Sequence, residues 1–179
     1  GVQANANGKP ILSSVELLSD DPGPATKITS GSQTFYVIKR EDRFGVRLKD
    51  SQSPARINFS GEKWYPTDIN YKVTGSLEPF ESPREIEIPN ILGGNFKMKS
   101  SGIVRFHLSG KEFALQPVIE NDKQLFFIFK DETAGGETYG AGRFLYTENP
   151  VDGKVVLDFN KAENPPCAFT QYATCPLPP

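Results

Sequence analysis

The chain predicts an all-β fold, mainly antiparallel: a sandwich or closed barrel of about ten or more strands with a proline-rich C-terminal belt. Three observations carry that expectation. Over much of residues 33–160, short apolar runs alternate with polar residues at a period of two. No stretch keeps an apolar stripe at helical spacing over several turns. The 179 residues include sixteen Gly and fifteen Pro, the punctuation of short strands joined by turns.

The elements follow in order. Residues 1–10 and 20–32 are polar and rich in breakers, so residues 1–32 read as a mobile or irregular segment with one possible strand, KPILSSVELL (9–18). Residues 33–179 read as a single all-β domain. Its first strands are QTFYVIKR (33–40) and RFGVRLKD (43–50), joined at Glu41-Asp42 by a tight hairpin. INYKVTGSL (69–77) and REIEIPNIL (84–92) alternate, with one face toward a core and one toward water. In GIVRFHLSGKEFALQPV (102–118), Val104, Phe106 and Leu108 share a face, and Ser109-Gly110 turns into a strand carrying Phe113 and Leu115. After Asn121-Asp122, KQLFFIFKD (123–131) is apolar on both faces, the mark of a doubly covered central strand. GRFLYT (142–147) and KVVLDFN (154–160) complete the set, with short helical turns expected around 160–164. The segment after them carries Pro165, Pro166, Pro176, Pro178 and Pro179. With so few backbone donors it should lie across the strands as a belt anchored by Phe169, Tyr172 and Leu177.

Composition bounds the function. Twenty Lys and Arg stand against twenty-two Asp and Glu, and no basic stripe points to nucleic acid. No apolar run approaches the roughly 20 residues needed for a membrane span. The chain begins at Gly1 without a basic head and apolar centre of a leader. A cytoplasmic protein and an exported one with its signal removed both fit. No cofactor motif is present, and the oligomeric state is not encoded in any recognisable pattern.

Two polar constellations stand out. The loop DETAGGETYGAGR (131–143) carries Asp131, Thr133, Tyr139 and Arg143 among four glycines. If Phe129 pairs with Leu145, Asp131 faces Arg143 across the strand ends. That is either an ion pair clamping a long hairpin or a site where Arg143 holds an anion. At the end of KVVLDFN, Asp158 and Asn160 share a face; they cap the following loop or line a pocket with Lys161 and Asn164. Cys167 and Cys175 read as a disulfide, worth about 2.5 kcal/mol in the chain-entropy model, as a buried thiol pair, or less readily as part of a metal site, since zinc-ribbon spacing is absent. The one histidine, His107, lies on a polar strand face and cannot supply a multi-His metal site. Neither a GxSxG elbow nor a phosphate loop is present. Trp64 and Tyr65, before Pro66, read as core aromatics, with the mouth of a pocket as the other possibility.

LFFIFKDETAGGETYGAGRFLYT followed by VVLDFNKAENPPCAFTQYATCPLPP resembles a prokaryotic family catalogued as domain of unknown function 1684. RFGVRLKD and GEKWYPTDINYKV are similar to its middle section, so the resemblance covers about residues 35–179. The family's pattern carries Tyr where this chain has Glu163, so no aromatic role transfers to that position. Members commonly carry further sequence at both ends, which implies that this chain is part of a longer one. The resemblance implies a shared fold and no established activity.

Three functions fit these residues. The first is a binding module recognising an anionic or polar small molecule through Thr133, Tyr139, Arg143, Asn160, Lys161 and Asn164. The second is a hydrolase with Asp131 or Asp158 as general base and Arg143 stabilising negative charge. The third is a structural or interaction domain in which the same side chains only hold the fold together.

Overall fold

The structure is a computed structural model describing residues 3–40, 42–121 and 123–179. Glu41 and Asp122, which the sequence places in two turns, lie outside the described residues. The chain divides into two compact units, Gly1–Lys63 and Trp64–Pro179. Both are built on antiparallel sheet.

The first unit holds β1 (Asn5–Ala6), β2 (Lys9–Pro10), β3 (Ile28–Ser30), β4 (Gln33–Arg40) and β5 (Arg43–Asp50), in the order β2-β1-β3-β4-β5. The β4–β5 hairpin is in full register, from Gln33 opposite Asp50 to Arg40 opposite Arg43. Residues 1–32 contribute three short strands to this sheet, of which β3 pairs with β4 of the hairpin and β1 joins β3 to β2. The strand expected over 9–18 is reduced to Lys9–Pro10. Residues 11–18 lack period-two alternation, and Leu12 is 94% exposed. Asp20 ties the irregular segment to β4. It accepts from the Lys39 N–H at 2.9 Å and takes the Arg40 guanidinium on both oxygens at 3.0 Å. Beyond β5 the chain turns into one helical turn, α1 (Pro54–Ile57), capped by Ser53.

The second unit holds β6 (Lys72–Pro89), β7 (Asn95–Leu108), β8 (Lys111–Leu115), β9 (Val118–Asn121), β10 (Gln124–Phe129), β11 (Arg143–Glu148) and β12 (Lys154–Asp158). Their order is β11-β10-β9-β7-β6-β12, with β8 also on β7. The two outer strands nearly meet. Just past β12, the Glu163 N–H donates to the Phe144 carbonyl, and the Phe144 N–H to the Glu163 carbonyl, both at 2.9 Å. This pair of bonds brings the sheet close to a barrel, which leaves few open edges. It uses only the backbone of Glu163, so the contact does not depend on which side chain that position carries.

The segments 69–77 and 84–92 largely form one strand, β6, interrupted by a register shift between Pro79 and Arg84. At that bend β7 passes so close that a Cβ on Gly102 would lie 2.3 Å from the Glu78 carbonyl oxygen. Only glycine permits that approach.

Alternation sorts the apolar residues into two layers. Val104, Phe106, Leu125, Phe127, Phe129, Leu145, Val155, Leu157 and Ala162 form one core. The other faces of β10 and β11 turn Phe126, Ile128 and Phe144 outward, onto Ile88, Val118, Ala173 and Cys175. The doubly apolar LFFIF is thus covered on both sides, and the proline-rich belt supplies part of the outer cover. Its anchors differ from expectation. Phe169 is 45% and Tyr172 76% exposed, while Ala173 and Cys175, two residues apart and therefore on one face of extended backbone, are buried. Leu177 is half-buried, and its N–H donates to the Pro89 carbonyl at 2.7 Å.

Candidate functional site

The polar residues of the second unit gather at one end of the barrel, in two groups. Phe129 ends β10, Arg143 opens β11 and Asp158 ends β12. The register pairs Phe129 with Arg143 and Phe127 with Leu145, so Phe129 lies two residues from the Leu145 partner that would set Asp131 directly across from Arg143. The ion pair forms all the same. The Arg143 guanidinium donates to Asp131 and lies 5.2 Å from the centre of the Phe129 ring.

The 131–143 loop is knitted to itself. Asp131 also accepts from the Thr133 N–H at 3.0 Å and from the Thr133 hydroxyl. The Thr133 and Thr138 hydroxyls lie 2.8 Å apart. The Glu137 and Thr138 N–H groups both donate to the Thr133 carbonyl at 3.0 Å. Burial disfavours the charge on Asp131, but the Thr133 hydrogen bonds and the Arg143 charge outweigh it and hold the carboxyl below its usual range. Gly142, at φ +107°, lets the chain pass between the Phe129 carbonyl and Pro178 of the belt. The Tyr139 hydroxyl donates to the Cys167 carbonyl at 3.3 Å. Its contact with Cys167, together with burial, pushes the phenol up to about 12. Loop and belt therefore lie against each other.

The second group is a staple. Asn160 accepts the Asp68 N–H on Oδ1, while its Nδ2 donates to the Asp68 carbonyl and to Asp158 Oδ1, all at 2.9 Å. The side chain thus binds the backbone of a segment 92 residues earlier, rather than the loop that follows it. Asp158 is the orienting partner. Lys161 is exposed and Asn164 half-buried. Between the two groups stand aromatic rings, with the centres of Phe129 and Phe159 5.4 Å apart. Among the described residues no hydrogen bond or ion pair joins Arg143 to Asp158 or Asn160.

Trp64 and Tyr65 are exposed rather than core residues. The Tyr65 hydroxyl donates to Glu137 at 2.8 Å, a contact no local pattern announces. Asp68 was likewise missed; its position before a short helical turn (Ile69–Tyr71) is the only local signal. Cys167 and Cys175 are not in a disulfide. Among the described residues no three His, Cys, Asp or Glu side chains group as metal ligands would.

A concavity of about 250 Å³ opens instead on the first unit, lined by Lys27, Ser32, Thr34, Tyr36, Lys49, Asp50, Ser51 and Arg56. Sheet register builds part of it: Lys27 immediately precedes β3, and Thr34 stands opposite Lys49. The turn after β5 brings Arg56 back; its N–H bonds Ser53 at the start of α1. The Ser51 N–H and hydroxyl both donate to the Ser32 carbonyl, at 3.0 and 3.2 Å. The Gln52 N–H and then the Ser32 side chain hold Asp50 below its ordinary value. Three cations thus face one carboxylate. No Asp or Glu among the described residues forms an ion pair with Lys27, Lys49 or Arg56.

Residues 57–179 match the family described as Protein of unknown function (DUF1684). The chain belongs to that family. The match spans the whole barrel unit and leaves the cationic concavity N-terminal to it. Among solved structures, an uncharacterized protein of Haloarcula marismortui, determined by solution NMR, is 27% identical. The similarity covers 69% of this chain and 71% of that one, with a TM-score of 0.57. A comparison with curated proteins finds no match. No helix among the described residues is long and apolar enough to cross a membrane.

Proposed function

We propose that this family member is a binding protein for a small, multiply charged anion bearing phosphoryl or carboxylate groups, and that the ligand sits in the concavity of the first unit. One observation carries the reading: Lys27, Lys49 and Arg56 line a cleft beside four hydroxyl side chains, with Asp50 as the one carboxylate in its lining. Lys27, Lys49 and Arg56 are exposed and have no carboxylate ion-pair partner among the described residues, and cations lining a concavity attract anions more strongly than the same groups on a convex surface. Arg56 offers a planar fork to two oxygens, and the Thr34 and Tyr36 hydroxyls can donate to the rest.

The barrel residues first considered for that role are engaged elsewhere. Arg143 is spent on Asp131, and Asn160 on the Asp68 backbone. A carboxylate held below its usual pKa is a weak general base, which tells against the hydrolase reading through Asp131. Their geometry favours a structural role.

The test is calorimetric titration of the full chain with inorganic phosphate, pyrophosphate and a di- and tricarboxylate. Saturable binding that weakens with salt, is lost in Lys49→Ala/Arg56→Ala and survives in Asp131→Asn supports the proposal. Binding indifferent to the double substitution, or no saturable binding to any member of the panel, overturns it.

A further inference from the structure

We infer that Cys167 and Cys175 are a reversible dithiol–disulfide pair, with Cys167 the thiol that meets the oxidant and Cys175 the thiol that resolves it. The Cys167 N–H points at the Cys175 sulfur, 3.2 Å away. One N–Cα bond of about 1.46 Å separates that nitrogen from its own Cα, so the Cys175 sulfur lies within about 4.7 Å of the Cys167 Cα. That is close enough for the Cys167 sulfur, turned toward it by rotation about χ1, to come within bonding reach of the Cys175 sulfur. Closing the bond requires the Cys167 sulfur to turn toward Cys175 with the two Cα atoms within the about 4.4–6.8 Å that disulfides span.

Both backbones are held in place. The Cys167 carbonyl accepts the Tyr139 hydroxyl from the 131–143 loop. The Cys175 carbonyl accepts the Ile91 N–H at 3.1 Å, just past the end of β6. The two thiols differ in access. Cys175 is 2% exposed and sits among Ile128, Phe144 and Ala173, whereas Cys167 is only partly buried. A dissolved oxidant can reach the second far more readily than the first.

The chemistry is thiol–disulfide exchange with a small-molecule disulfide such as glutathione disulfide. The Cys167 thiol loses its proton and its sulfur attacks one sulfur of glutathione disulfide. The S–S bond breaks, and one glutathione leaves and takes up a proton. The deprotonated Cys175 sulfur then attacks the Cys167 sulfur and expels the second glutathione, which is also protonated. Two protein thiols are oxidised by two electrons, and one glutathione disulfide becomes two glutathiones. The product closes the loop that carries the exposed Phe169 and Tyr172.

The full native chain is equilibrated across a series of glutathione to glutathione disulfide ratios, quenched by alkylation and analysed by intact mass and peptide mapping. The wild-type chain should end as an internal disulfide lacking two hydrogens and carrying no glutathione, and dithiothreitol should reverse it. Cys175→Ser should stop at a glutathione adduct on Cys167, and Cys167→Ser should stay reduced while folded. If Cys175→Ser does not fold, early quenched samples of the wild-type chain give the same reading, with the first adduct on Cys167. A stable adduct in the wild-type chain, a wild-type chain that stays reduced in excess glutathione disulfide, or reaction of Cys167→Ser as fast as wild type overturns the inference.

Discussion

Asn160→Ala tests whether the polar end of the barrel is scaffolding. The substitution removes three hydrogen bonds of 2.9 Å and leaves the Asp68 N–H and carbonyl, and one oxygen of Asp158, without their partner. A net hydrogen bond contributes about 1 kcal/mol, and an abandoned buried partner costs about 1–3 kcal/mol. The site is half-buried, so water can replace part of what is lost. A cost of about 2–3 kcal/mol follows. For a unit of this size that corresponds to a fall in Tm of roughly 10 °C. Urea unfolding, followed by tyrosine fluorescence and far-ultraviolet circular dichroism, should show a lower midpoint at unchanged slope. A companion, Asn160→Asp, keeps the acceptor for the Asp68 N–H. It sets a carboxylate against Asp158 and against the Asp68 carbonyl, so it should be less stable than wild type at neutral pH and recover part of the loss as pH falls. A loss below about 0.5 kcal/mol for Asn160→Ala would place it among inert surface changes, and the structural role assigned to Asn160 would be wrong.

Other consequences can be checked on the same samples. Phe127→Ala empties the centre of the barrel and should cost about 3–5 kcal/mol in the urea assay, against little for the exposed Val156→Ala on β12. Gly142→Ala sets a Cβ 2.6 Å from the Phe129 carbonyl oxygen at a positive φ, and should destabilise by about 1–3 kcal/mol; an unchanged midpoint would show that loop and belt do not press on this glycine. Asp131 has a folded pKa below its unfolded value, so its contribution is present above the unfolded pKa and lost as pH falls through the folded one. Asp131→Asn should therefore flatten the acid limb of the stability profile, and an identical limb would refute the pairing with Arg143. Tyr146, raised mainly by burial to about 12, has the opposite sign: its contribution is full below the unfolded value near 10 and disappears as pH rises toward 12. Spectrophotometric titration should find two late-ionising tyrosines, Tyr139 and Tyr146, and Tyr146→Phe should remove one of them.

Much of the fold was legible because a strand writes its two faces in alternate residues. KVVLDFN and GIVRFHL put Val155 and Leu157, and Val104 and Phe106, inside as their spacing requires. LFFIF gave away its double cover. What stayed hidden depends on distance in sequence. No local pattern tells Asn160 that its partner is the backbone of Asp68, or closes the barrel through Glu163 and Phe144. The belt was expected to anchor by its largest residues, but burial followed backbone direction, which put small Ala173 and Cys175 inward and left Tyr172 outside. The cationic concavity could have been read in part. Pairing QTFYVIKR with RFGVRLKD as a tight hairpin sets Thr34 across from Lys49. The return of Arg56 depends on the turn that follows, which short-range pattern does not determine.

The most direct measurement of where a ligand sits is a titration of assigned amide NMR spectra of the full chain with pyrophosphate. The account predicts saturable shifts centred on Lys27, Ser32, Lys49, Ser51 and Arg56, with the amides of Thr133, Arg143 and Asn160 undisturbed. Shifts centred on the 131–143 loop and the 158–164 segment would contradict it and return the site to the barrel.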